Sequence, residues 1–261
     1  MASIGDTLEL SNGTRIPRLG LGVWQIPDGP PTERAVAWAL EAGSRHIDTA
    51  KLYRNEASVG RAVRASGLAR EDVFVTTKLF ATDQLRAPKA FEDSMARLGL
   101  DYVDLYLVHS PVPGLLKRTW RAMEAIYAGG RARAIGVSNY SIAQLAATLQ
   151  LASVPPAVNQ VKCSPFSFDR RRYEHCRANG VCFEAYSPLT RGRRLGDEQV
   201  SAMAARYGAS AAQLLIAWAL QHDMVVIPKS AHRGRIEENA GAVKLTISGE
   251  DMDRLDALSR R

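Results

Sequence analysis

The sequence predicts an α/β fold, a single (β/α)8 TIM barrel over residues 1–261 with an N-terminal β-hairpin and an extra C-terminal helix. Three observations predict it: short β-rich runs alternate with longer segments of helical period, the alternation amounts to eight units, and no low-complexity linker interrupts it. The strand candidates are short, continuous and apolar, as parallel strands buried on both faces should be, and the helix candidates alternate apolar and charged faces. A doubly wound sheet is the alternative that alternation leaves open. Length agrees with the barrel, because α/β barrels reach ~250 residues as one domain although ~150 is the usual measure. With 46% apolar and 23% charged residues, such a chain can bury a full core.

The elements follow in order. In "TLELSNGTRIP", about residues 7–17, Asn12-Gly13 suits a type I′ hairpin turn. The first barrel strand is read in "RLGLGVW", and the helix "PTERAVAWALEAG" follows with Thr32 as its N-cap and Gly43 as its stop. Then come "HIDT" and "ASVGRAVRASG", "VFVTTK" and "APKAFEDSMARLG", "VDLYLVH" and "TWRAMEAIYAGG", "ARAIGVSN" and "SIAQLAATLQLA", "AVNQVKC" and "DRRRYEHCRANG". The seventh strand, "VCFEAYS", precedes two helices, "DEQVSAMAARYG" and "SAAQLLIAWALQ", and the eighth, "MVVIPK", precedes "RGRIEENA". A last amphipathic segment, about 248–259, reads as the extra helix with Ser248 at its N-terminus.

Composition narrows the function. No apolar run approaches the ~18 residues of a spanning helix, and "MASIGDTLEL" has neither a basic nor an apolar leader region, so a cytoplasmic protein without membrane contact is expected. The odd, sparse set Cys163, Cys176 and Cys182 suits free thiols in a reducing compartment, and it lacks the paired spacing of a zinc site. The net charge of +7 is spread over scattered arginines with no finger or helix-turn-helix pattern. That argues against nucleic acid and for a phosphorylated small molecule.

Barrel enzymes carry their chemistry at the C-terminal ends of the strands. Asp48 ends the second predicted strand, Lys78 the third and His109 the fourth, and Tyr53 lies a few residues into the second loop. Each alone reads as a cap, a strand end, a core histidine or a packing ring. Together they suit proton transfer to a carbonyl oxygen. A free phenol titrates near ~10, so an ammonium at Lys78 is expected to lower that value and make Tyr53 the acid. Asp48 would hold the lysine, and His109 would orient the substrate oxygen. "PKSAHRGR" adds Lys229, Arg233 and Arg235 around a helix N-terminus, a good phosphate site. "GLGVWQ" lacks the third glycine of a dinucleotide-fold fingerprint, and there is no P-loop.

The ordered motifs "HIDTAKLYRNEASVG", "VFVTTK", "VDLYLVHSP", "IGVSNY", "VNQV", "EAYSPL" and "IPKSAHRGRIEEN" resemble those of the aldo-keto reductase superfamily. The likeness runs from about residue 8 to 258 and is nearest to small prokaryotic members similar to diketogluconate reductases. It implies a catalytic tetrad at Asp48, Tyr53, Lys78 and His109, and NADPH as the hydride donor. Ser138, Asn139 and Gln160 match groups on the nicotinamide carboxamide, Tyr186 the ring that stacks on nicotinamide, and Ser187 and Leu189 the pyrophosphate segment. Lys229, Ser230 and Arg235 match the 2′-phosphate clamp, and Glu238 and Asn239 the adenine contacts. Trp24 and Phe80 match the substrate-pocket wall, and a monomer acting on a small carbonyl compound is implied.

The sequence departs from the family at Phe80 and Ser110, where tryptophan is common, and at Ser164, where histidine is common. With a short loop after the fourth strand and almost no C-terminal tail, an open pocket of broad carbonyl specificity is expected. Two other readings stay open: a slow NADP(H)-binding sensor on the same fold, and a metal-dependent hydrolase using His46, Asp48 and His109. The second leaves Tyr53 and Lys78 without a role, and no metal is expected.

Overall fold

The computed structural model describes residues 3–260; Met1, Ala2 and Arg261, the ends of the expected 1–261 span, lie outside the described residues. Strands β1 (Thr7–Glu9) and β2 (Arg15–Pro17) pair antiparallel with Leu8 opposite Ile16. Their turn differs from the type I′ expectation, which needs positive φ at both Asn12 and Gly13. Only Gly13 is left-handed, at 83°. Gly13 N–H donates to Leu10 O and Leu10 N–H to Thr14 O, both at 2.8 Å, which makes a three-residue loop ending in a bulge at glycine. Asn12 Oδ1 accepts from Thr14 N–H at 3.2 Å, a bond that holds the shorter turn.

The barrel begins at β3 (Leu21–Gly22), shorter than the expected run from Arg18 to Trp24. There follow α1 (Pro30–Glu41), β4 (His46–Asp48), α2 (Glu56–Ala65), β5 (Phe74–Leu79), α3 (Ala87–Leu98), β6 (Leu105–Val108), α4 (Leu116–Ala128), β7 (Ile135–Ser138) and α5 (Ile142–Leu151). The chain continues through β8 (Val158–Lys162), α6 (Arg170–Ala178), β9 (Cys182–Tyr186), α7 (Glu198–Arg206), α8 (Ala211–Gln221), β10 (Val225–Ile227), α9 (Arg233–Ala240) and α10 (Gly249–Asp256). Each strand from β3 to β10 pairs in parallel with the next. Closure comes from Val226 N–H to Arg18 O at 2.8 Å, Gly20 N–H to Val226 O at 2.9 Å and Gly22 N–H to Pro228 O at 3.1 Å.

Helix α1 starts before Thr32, because Pro30 and Pro31 occupy first-turn positions whose N–H groups would have no helical partner. Gly29 is the cap, and Thr32 instead donates its hydroxyl to Pro27 O at 2.7 Å. Gly43 follows the helix with φ 94°, as expected of a stop. Ser248 caps α10 through Asp251 N–H at 3.3 Å, also as expected.

One large apolar cluster lies between strands and helices. A smaller one joins Leu10 and Ile16 of the hairpin to Phe74, Leu105, Val158 and Val225, each the first residue of its strand. The hairpin therefore seals the N-terminal end, and the opposite rim is left for chemistry. Among the described residues, no helix is long and apolar enough to cross a membrane.

Candidate active site

Asp48 is the last residue of β4, Lys78 lies near the end of β5, and His109 follows β6 directly. Tyr53 ends a 3-10 turn, Lys51–Tyr53, which Lys51 ties to Asp83 of the next loop. The following residue, Arg54, has φ 60°, so the turn stops there. The structure brings all four together. Lys78 is wholly buried and its ammonium donates to both Asp48 oxygens at 2.7 Å, to Thr49 O at 2.9 Å and to Tyr53 Oη at 3.3 Å. The Tyr53 ring stands edge-on to His109, 5.7 Å between centres.

The electrostatics differ from expectation in one respect. Burial pushes the Tyr53 hydroxyl up to about 12 and outweighs the Lys78 charge, which lowers it. The Asp48 charge also raises it, by less than the Lys78 charge lowers it. The ammonium thus acts on the phenol in the expected direction, through its charge and its hydrogen bond, and burial acts against it. Burial, then Lys78, pulls the His109 imidazole down to about 3, so that ring is neutral.

A cavity of about 200 Å³ opens on this group, lined by Trp24, Leu52, Asn139, Gln160, Tyr186 and Lys229 among others. It shares Trp24, Ser187, Arg191 and Lys229 with a groove of about 630 Å³ that also takes in Leu189, Ser230, Arg235, Glu238 and Asn239. The two form one continuous cleft. Tyr186 donates its hydroxyl to Asn139 Oδ1 at 2.9 Å, and Asn139 donates to His109 O at 3.1 Å, linking three loops of the rim. Ser138 donates to Gln160 O at 2.8 Å. Gln160 turns its nitrogen inward, to Asp48 Oδ2 at 2.8 Å and Glu184 Oε2 at 3.0 Å, so only its oxygen is free of partners.

Four residues singled out in the sequence do not line the cleft. Arg233 turns from the groove to Glu41 at 3.2 Å and Glu237 at 2.8 Å, because its place on the first turn of α9 faces α1. Phe80 packs edge-on against His109, and Ser110 accepts from Gln84 through its carbonyl at 2.7 Å; neither is among the residues lining the cavity. Ser164, bonded to Ser167 at 3.1 Å, is likewise outside it.

Sequence reasoning passed over Glu184 and Arg191. Glu184 carried a signal, a charged residue two before Tyr186 in an apolar strand, hence on the same inward face. Arg191 stacks 4.5 Å from the Trp24 ring across the cleft, a contact with no sequence signal. Among the described residues, no group of three or more His, Cys, Asp or Glu could hold a metal ion.

A closed parallel barrel with ionisable side chains gathered at its C-terminal rim is the framework of a barrel enzyme. The chain belongs to the aldo/keto reductase family, whose model matches residues 18–260. It is 42% identical over 260 residues to the glyoxal reductase of Bacillus subtilis, covering 99% of this chain and 94% of that one. It is 40% identical to the morphine 6-dehydrogenase of Pseudomonas putida, with 99% and 93% covered. A crystal structure of an aldo/keto reductase from Brucella melitensis superposes with a TM-score of 0.93 at 40% identity, covering 99% of each chain.

Proposed function

We propose that this chain, as one barrel domain, reduces aldehydes or ketones to alcohols with NADPH as hydride donor and Tyr53 as general acid. The observation that carries the reading is the Lys78 ammonium, held by Asp48 and 3.3 Å from the Tyr53 hydroxyl at the mouth of a cavity. The cleft fits such a cofactor. Among the described residues Lys229 forms no ion pair with an acidic side chain, and burial lowers its pKa, so an anion beside it would be stabilising. The unpartnered Gln160 oxygen can accept from a carboxamide N–H beside the Tyr186 ring.

Reduced nicotinamide, when bound, supplies the hydride. Tyr53 gives its proton to the carbonyl oxygen, which becomes the alcohol hydroxyl. A phenol near 12 still does so downhill, because an alkoxide is a much stronger base than a phenolate. Lys78 then steadies the phenolate left beside it. His109 has a buried Nδ1 without a partner, and an unpaired acceptor costs less than an unpaired donor, so its proton belongs on Nε2, as a donor to the substrate oxygen.

The rim also exposes Leu52 and Leu85, which suits carbonyl compounds with apolar bodies. Relatives named for glyoxal and for morphine differ greatly in substrate size, which favours a broad range. The test is NADPH absorbance during incubation with a nitrobenzaldehyde. Steady consumption is expected, lost in Tyr53→Phe while NADPH binding persists. Binding without turnover in the unaltered protein would instead make it a sensor.

A further inference from the structure

The segment that follows β5 carries an inversion of polarity. In the 3-10 turn Ala81–Arg86, Asp83 and Gln84 are buried, each 2% exposed, while the apolar Leu85 beside them is 57% exposed. A buried polar side chain costs stability unless its hydrogen bonds are made. These two make theirs to different loops of the rim. The Asp83 carboxylate accepts from the Lys51 ammonium, at the head of the turn Lys51–Tyr53 that ends in the phenol. Gln84 Nε2 donates at 2.7 Å to the carbonyl oxygen of Ser110, one residue beyond His109. A carbonyl can only accept, so the amide nitrogen must face Ser110, and Gln84 Oε1 then accepts from Thr119 Oγ1 of α4 at 2.9 Å.

Neither residue lines the cleft, so neither touches the reacting groups directly. Adjacent in the chain, they tie the loop of Tyr53 to the loop of His109, on the segment that runs on from Lys78 and β5. Other bonds hold those loops to other parts of the barrel. Asn55 donates to Val23 O and Ile26 O at 3.0 Å, and Asn139 donates to His109 O at 3.1 Å. Neither joins the Tyr53 loop to the His109 loop. Arg86 bonds the same Asp83 carboxylate at 2.7 and 3.0 Å, but from within the turn, so it bridges nothing.

We propose that Asp83 and Gln84 are positioning residues: together they set the spacing between the Tyr53 hydroxyl and the His109 imidazole, the two groups that must meet one carbonyl oxygen. The inference rests on the reading of Tyr53 as general acid. Each group has to come within about 2.6–3.2 Å of that oxygen. A misplacement of about 1 Å costs on the order of a hundredfold in rate, so slack in either loop slows the chemical step and spares cofactor binding.

The experiment compares the unaltered protein with three variants. Lys51→Met and Gln84→Met each break one end of the brace, and Arg86→Met takes from Asp83 only its partner within the turn. Single-turnover oxidation of bound NADPH by a nitrobenzaldehyde is expected to slow about tenfold or more in Lys51→Met and Gln84→Met, with NADPH affinity within about twofold. Lys51→Arg, which keeps a cation opposite Asp83, should return most of the rate, and Arg86→Met should hold it within about twofold. Lys51 is partly exposed, so its variants carry the test even where Gln84→Met fails to fold. A second readout needs no turnover. The His109 ring-proton signals in NMR spectra, assigned by their loss in His109→Gln, feel the ring current of Tyr53, which stands edge-on to that imidazole. They should move in Lys51→Met and stay in Arg86→Met. Unmoved signals in Lys51→Met overturn the positioning proposal whatever the turnover. So does a loss of rate in Arg86→Met as large as in Lys51→Met, which would belong to charge at Asp83 and not to the brace. Moved signals in Lys51→Met, with no NADPH oxidised even by the unaltered protein, overturn only the reductase reading.

Discussion

The Lys78 ammonium stands 3.3 Å from the Tyr53 hydroxyl and 4.9 Å from the centre of its ring, with both Asp48 oxygens at 2.7 Å on its other side. The pair is buried, so each charge depends on the other. Replacing Lys78 by Met leaves Asp48 alone in the core and should cost about 3–5 kcal/mol of stability. The double change Lys78→Met with Asp48→Leu removes both charges and should recover much of that loss. Urea unfolding of both variants checks this, and equal losses would mean the pair contributes no mutual stabilisation. Carbonyl reduction should be lost in both.

Stability should also depend on pH with a defined sign. His46 titrates at about 3 in the folded protein against 6.5 in a free chain, because burial and then Lys78 disfavour its charged form. The unfolded chain binds more protons between those values, so this contribution is complete above about 6.5 and is lost as pH falls toward 3. Glu184 acts oppositely: its folded value is raised, so its contribution is complete at low pH and is lost as pH rises through about 8. Because the Glu184 loss begins at its free value of 4.5, the two contributions together are greatest between about 4.5 and 6.5. His46→Asn should flatten the acid limb of an unfolding-midpoint profile; an unchanged limb would assign it to other groups.

The fold and the grouping of Asp48, Tyr53, Lys78 and His109 were legible because each followed from local pattern. Apolar runs marked parallel strands, and strand ends map directly onto the rim, so Asp48, Lys78 and His109 could be placed without coordinates. Contacts made by barrel closure were not. Gln160 meets Asp48 across 112 residues of chain, and only the closed sheet brings its nitrogen there. Side-chain direction was equally hidden: Arg233 and Arg235 are two residues apart, yet one pairs with α1 and the other lines the groove. The effect of burial on Tyr53, which opposes that of Lys78, could not be weighed before its burial was known. At the hairpin, Asn12-Gly13 was read as a type I′ turn, and the bond from Thr14 N–H to Asn12 Oδ1 accompanies the different turn that forms.

That difference between neighbouring arginines has a consequence for cofactor choice. Arg235 and Lys229 line the groove, whereas Arg233 is occupied by Glu41 and Glu237. Arg235→Ala should weaken NADPH binding by about tenfold or more, the worth of a charge-assisted phosphate bond, and leave NADH binding nearly unchanged. Arg233→Ala should alter neither by more than about twofold, since exposed ion pairs contribute little. Fluorescence titration with both cofactors reads the difference. Equal losses for NADPH and NADH in Arg235→Ala would place the 2′-phosphate elsewhere.

Gly20 offers a structural test of how tightly closure holds the site. A methyl group there would lie 2.8 Å from His46 Cγ and 2.9 Å from both Nδ1 and the His46 carbonyl oxygen. Some of that contact is backbone, so a rotamer change of the ring cannot relieve it, and β4 itself must shift. The far end of β4 is Asp48, two residues on, which holds Lys78. Gly20→Ala is therefore expected to cost about 1–3 kcal/mol, the usual range for overpacking, and to lower turnover as well. Gly234→Ala, where a methyl group would meet no atom within 4 Å, should leave the melting temperature level or slightly raised by helix propensity. Thermal melts of both variants decide the matter: similar midpoints would mean that the strand yields freely at Gly20 and that its far end is positioned by Lys78 alone.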